Sequence, residues 1–219
     1  MRRGVIAAAL LLGCGEPPSP CALEARPTSI DEVVDTLNAL PDPVTLECFL
    51  ESLERPLGLE LTSDVFSAQP AQGVRSPRIF VRGEELNLSV VPVGEARHLL
   101  EFGEHVGPLS TVKGELEFPL TLPVDDDAPY TRILNATAAF PTGCGVCHGD
   151  EQNVGGDRWA SLPLRPPDAM VVPLEVLRSE HEACDPVDPD RCAMFSALLD
   201  HGEVFQDPFP ESYPTFAAR

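Results

Sequence analysis

The chain has 219 residues and a formal net charge of −20, from 35 acidic and 15 basic side chains. A surface this acidic repels phosphate backbones, which excludes nucleic-acid binding, and it offers no basic patch for an anionic membrane surface. Its 24 prolines are about twice the usual share and exclude a coiled coil or a helical bundle.

At the start of the chain Arg2 and Arg3 precede an apolar run from Val5 to Leu12. The run is too short to span a bilayer and has the flanks of an export signal. It ends in Leu11-Leu12-Gly13-Cys14, which resembles the lipobox of bacterial lipoproteins. The resemblance implies cleavage after residue 13, a lipid on the Cys14 sulfur, and a tether over 14–26 that opens Gly15-Glu-Pro-Pro-Ser-Pro. It places the chain facing the periplasm of a bacterium, and Gly15 after the cysteine, where Asp would favour the inner membrane, points to the outer membrane. The alternative is an ordinary signal peptide with a coincidental cysteine.

Residues 27–56 read as a helical segment. Ser29 and Glu32 form a capping box, and Ile30, Val33, Val34, Leu37 and Leu40 share one face until Pro41-Asp42-Pro43 stops the helix. A second helix carries Leu46, Phe49, Leu50 and Leu53 and ends before Pro56. Over 57–124 the pattern changes to period two, as in Leu57-Gly-Leu-Glu-Leu, Arg78-Ile-Phe-Val and Leu86-Asn-Leu-Ser-Val. Glycines punctuate it at the spacing of antiparallel strands, which predicts a small β-sandwich or barrel. Asp125-Asp126-Asp127 lacks the spacing and glycine of a calcium loop and reads as a solvated boundary.

From 128 to 219 the chain returns to helix and loop. Tyr130 to Phe140, Leu174 to Glu182 and Arg191 to His201 read as helices, separated by a proline-rich loop. The expected fold class is therefore α+β: short N-terminal helices, a small antiparallel β domain, then a small α-helical domain.

Seven cysteines in an exported chain predict disulfides. With Cys14 assigned to lipid and Cys144/Cys147 to a motif of their own, four remain, and four allow three pairings. Cys184 and Cys192 bracket an Asp/Pro-rich loop and read as a local disulfide, which leaves Cys21 with Cys48.

Cys144-Gly-Val-Cys147-His148 carries the chemistry. Cys-x-x-Cys-His is the haem c attachment pattern. Two thiols one helical turn apart reach the two vinyl groups on one porphyrin edge, and the next residue offers its imidazole to the iron. Residues 130–164, with Gly149 after the histidine and Leu162-Pro163-Leu164 downstream, resemble a small cytochrome c domain. The resemblance implies one covalent haem c held by Cys144 and Cys147, with His148 as proximal iron ligand, fixed by a backbone carbonyl near the proline. It also implies a terminal helix, 191–201, packed on the helix before the motif. The family's distal methionine has no fixed counterpart here. Met170 is the first candidate by position, Met194, His181 and His201 are alternatives, and an open site is a further one.

Three other readings of the motif compete: a redox-active disulfide, although the strand and tryptophan of a thioredoxin-like site are absent; a zinc site, which lacks a fourth ligand; and a relic that holds no haem. His98 and His105 read as surface histidines. Gly143-Cys-Gly145 fails as a dinucleotide loop, since His148 stands where its last glycine belongs, and no hydrolase motif occurs. The sequence thus predicts an electron carrier rather than an enzyme, with a redox partner of basic surface and membrane attachment through lipid alone. The alternative is a lipid-anchored binding or scaffolding protein whose β domain holds the partner.

Overall fold

The computed structural model describes residues 19–135 and 139–215. Cys14 and its lipobox lie outside the described residues. Among the described residues no helix is long and apolar enough to cross a membrane.

The chain opens with two short helices, α1 (Ile30–Asn38) and α2 (Leu46–Ser52). Ser29 caps α1 by accepting from the Glu32 amide, while the Glu32 carboxylate turns back one residue further, to the amide and hydroxyl of Thr28. Five strands follow: β1 (Leu57–Thr62), β2 (Arg78–Arg82), β3 (Leu86–Val90), β4 (Leu99–Gly107) and β5 (Ser110–Glu117). They form a consecutive antiparallel meander.

The expected sandwich or barrel followed by an all-helical cytochrome c-like domain is not what forms. One mixed sheet of eight strands does. Residues assigned to the helical domain supply its remaining strands: β6 (Gln152–Gly155) and β7 (Arg158–Ser161) pair as a hairpin beside β5, and β8 (Val204–Gln206) runs parallel to β1 at the far edge. The strand order is β6-β7-β5-β4-β3-β2-β1-β8. The helix expected over 130–140 is only α3 (Ala128–Arg132), and α4 (Gly145–His148) is a single turn. The two remaining helices are α5 (Leu174–Glu182) and α6 (Pro189–Leu199). The last of these packs on α2 and α5, not on the helix before the motif.

Period-two patterning gives the sheet two unlike faces. Leu59, Leu61, Ile79, Val90 and Leu100 point to one side, each fully buried in a core shared with Val33, Leu37, Phe49, Leu177, Phe195 and Leu198 of the helices. The other side carries Glu60, Thr62, Arg78, Asn87, Ser89, Glu101, Thr111 and Lys113 in cross-strand register. In an ordinary one-sided sheet that face meets water. Here Glu60, Thr62, Asn87, Ser89, Thr111 and Lys113 are all buried.

Two disulfides form, Cys21–Cys48 and Cys184–Cys192, as the cysteine arithmetic expected. Cys184–Cys192 closes a separation of 8 residues between α5 and α6. By loop-closure entropy its removal as a double alanine variant costs about 2.5 kcal/mol, measured as a lowered urea midpoint at unchanged slope.

Candidate functional site

Three loops bury the polar face. The first, 63–77, is pinned by Gln69, which is fully buried, accepts from Ser89 Oγ at 2.8 Å and donates to the Leu99 carbonyl at 2.7 Å. The C-terminal segment lays Phe209 edge-on against Phe80 at 4.9 Å between centroids, under the Arg82 guanidinium, and brings the Tyr213 hydroxyl to 3.2 Å from His105 Nε2. The third loop is the Cys144–His148 turn with its approach.

That turn is built tightly. The amides of Cys147 and His148 both donate to the Cys144 carbonyl, at 3.1 and 2.9 Å. Gly149 closes it at φ 61°, a left-handed conformation that glycine takes at no steric cost. Thr142, fully buried, accepts from the Cys144 amide at 3.1 Å through its hydroxyl, and the Glu151 carboxylate accepts in turn from that hydroxyl. Thus a residue before the motif and one after it clamp the turn from both ends. A bridge between Leu134 and Thr142 ties it to the end of α3.

His148 Nδ1 donates to the Leu162 carbonyl at 2.7 Å, directly before Pro163. This fixes the ring and makes Nε2 the nitrogen that would bind a metal, the second-shell arrangement usual for metal-ligating histidine. Cys144, Cys147 and His148 line one cleft of about 390 Å³. Phe66, Phe80, Ile133 and Leu134 give it apolar surface, and Arg78, Arg132 and Arg165 give it cations. A contiguous cavity of about 80 Å³ runs beneath it to the sheet, lined by Cys144, His148, Lys113 and Tyr213 among others. The combined size is that of a small-molecule or cofactor site. Asp64, Glu101 and Glu115 line it too, and the three arginines pair with Glu101, Glu115 and Asp168, so what the cleft offers a tethered group is the two thiols and the imidazole beside apolar surface.

The electrostatics are set by burial. Arg78 lies on Phe80 and pairs with Glu101, and its Nε donates to Ser89 Oγ at 2.6 Å. Lys113 donates to Thr111 Oγ1 at 2.6 Å; burial pushes its amine down to about 8, against the pull of the Cys144 and Glu101 charges. Burial pushes the Cys144 thiol up to about 11, with Glu101 adding to the effect. A thiol held that far above neutrality is a poor thiolate nucleophile, unlike the low-pKa cysteine of thioredoxin-like sites. Neither Cys144 nor Cys147 takes part in a disulfide. Among the described residues no group of three or more His, Cys, Asp or Glu side chains is arranged to hold a metal ion, which removes support from a zinc site.

The expected distal ligands fall elsewhere. Met170, 43% exposed, packs by its carbonyl against Ser63 and Thr62 and does not line either cavity. Met194 is in the hydrophobic core, His181 meets Asp200 at 2.7 Å, and His201 faces Glu51. Sequence reasoning missed Arg78, Glu101 and Lys113. Their only signal is a charged residue at a non-apolar position of an alternating strand, which by itself does not separate a buried face from an exposed one.

The chain matches no family model, no curated protein and no solved structure.

Proposed function

We propose that the chain is an exported haem protein, anchored by a lipid on Cys14, that carries electrons through one covalent haem c. The observation that supports this most is His148 Nδ1 held by the carbonyl before Pro163, with both motif cysteines beside it at one cleft. Cys144 and Cys147 would hold the group through thioethers, each thiol adding its sulfur to one vinyl carbon and its hydrogen to the other. That chemistry needs both cysteines as thiols. His148 would be the proximal ligand. The haem supplies a one-electron ferric–ferrous couple. The protein's own part is orientation of the imidazole, exclusion of water by Phe66, Phe80 and Leu134, and the charge placed around the cleft by Arg78, Arg132 and Arg165. A net charge of −20 favours a redox partner with a basic surface and association that weakens with salt.

The test is a pyridine haemochrome spectrum of the full chain expressed with a haem-attachment system. A c-type α band that survives denaturation is expected for wild type and is expected to vanish in Cys144→Ser/Cys147→Ser. A colourless wild-type protein overturns the reading and returns the buried polar face to the alternative, a lipid-anchored binding protein.

A further inference from the structure

Resting on the haem reading, we propose that Lys113 supplies the second axial ligand to the iron, an amine nitrogen where the cytochrome c family uses a thioether. Lys113 lies on β5, is 7% exposed, and lines the 80 Å³ cavity together with His148 and Cys144. Its amine donates to a neutral hydroxyl, Thr111 Oγ1, and among the described residues no carboxylate lies within ion-pair distance of it. Buried ammonium groups are ordinarily paired, so a lysine held in this way suits a role for the amine nitrogen itself. Its cross-strand partner is Gly103, where a side chain would meet nothing within 4 Å, so the floor beside Lys113 is open. A bulkier residue on β4 would fill that space. Tyr213 is the rival in the same cavity, but its hydroxyl is engaged with His105. On ligation the amine lone pair forms the iron–nitrogen bond and the ammonium's proton leaves to solvent, with no change of oxidation state.

The experiment uses full-length holoprotein and compares wild type, Lys113→Leu, Lys113→Met and Tyr213→Phe by absorption, electron paramagnetic resonance, reduction potential and carbon monoxide titration. Wild type is expected to be low-spin. Lys113→Leu is expected to become high-spin and to bind carbon monoxide at least about ten-fold more tightly, since no ligand must be displaced. Lys113→Met is expected to stay low-spin with a raised potential, because a thioether favours ferrous iron. A merely structural lysine would leave the two variants alike. The proposal is overturned if both keep the wild-type spin state and potential, or if Tyr213→Phe alone changes them. Should the variants fail to fold, the wild type decides: ferrous protein that is high-spin and binds carbon monoxide without displacing a ligand also overturns it. A wild type that attaches no haem overturns the underlying reading, an outcome visible in the haemochrome before any ligand is examined.

Discussion

Lys113→Met is expected to make the haem-free protein more stable by about 3 kcal/mol at pH 7. The amine is lowered from its ordinary 10.5 to about 8 by burial, and each unit of difference between folded and unfolded chains is worth about 1.4 kcal/mol. The unfolded chain holds this proton more tightly than the folded one, so stability is lost as pH falls from 10.5 to about 8, stays low below that, and is regained as pH rises back towards 10.5. Methionine has the length of the lysine stem and no charge to desolvate. Urea titrations of both proteins at pH 7 and pH 10.5 check this, with the variant's advantage expected to shrink to near zero at the higher value. Wild-type stability alone would mislead. Cys144, raised from 9.0 to about 11, withdraws stability over that upper window and partly masks the gain from Lys113. The difference between wild type and variant removes most of the cysteine's contribution; what remains is the further rise of the Cys144 thiol once the Lys113 charge is gone, which also shrinks the variant's advantage at high pH. If the variant is no more stable at pH 7, the amine is solvated better than its burial implies. A chain that carries a destabilising buried lysine beside its thiol motif has the signature of a site held for function at the expense of stability.

The same residue shows why the sequence was only partly legible. Alternation located β1 to β4, because the apolar half of each repeat has to reach the core wherever the strand lies, but it missed most of β5. On the other face the structure brings Arg78, Glu101 and Lys113 together. What alternation cannot say is whether that face meets water or other chain segments. Here loops cover it, and they do so through long-range polar contacts such as Gln69 with Ser89, which leave no local pattern. The motif itself was legible in five consecutive residues, as was the carbonyl before Pro163. Its setting was not. The sequence predicts a helix from Tyr130 through Phe140, but the chain leaves the helix at Arg132 and the motif turn lies over the polar face of the sheet. The strands β6 and β7 are short, and every residue of β6 is on the exposed side, so neither shows the apolar signal from which strands are read. The disulfides were readable because Cys184 and Cys192 bracket a short loop, which leaves Cys21 with Cys48 once Cys14, Cys144 and Cys147 are set aside.

Gly145→Val is expected to cost about 4 kcal/mol and to lower haem attachment sharply, although residue 145 itself supplies neither a thiol nor an imidazole. A Cβ at Gly145 would overlap the Glu151 carboxylate and come within 3.0 Å of Phe140 Cβ. Glu151 is at the end of a flexible side chain, so it can leave, but leaving releases the Thr142 hydroxyl. That hydroxyl holds the Cys144 amide and is fully buried, so the first cysteine loses its anchor as the turn is overpacked. The lost charge-assisted bond accounts for about 2 to 3 kcal/mol and the branched side chain for the rest. The clash and the clamp separate in a double-mutant cycle with Glu151→Ala. In that background Gly145→Val meets empty space where the carboxylate stood, and its own cost should fall by about half. Chemical denaturation measures the stability arm and haem per polypeptide the attachment arm. Strict additivity of the two substitutions would mean that Glu151 does not transmit the effect. A large coupling with attachment lost in both single variants would mean that the cysteines are positioned by this carboxylate, three residues beyond the motif that sequence alone brings to notice.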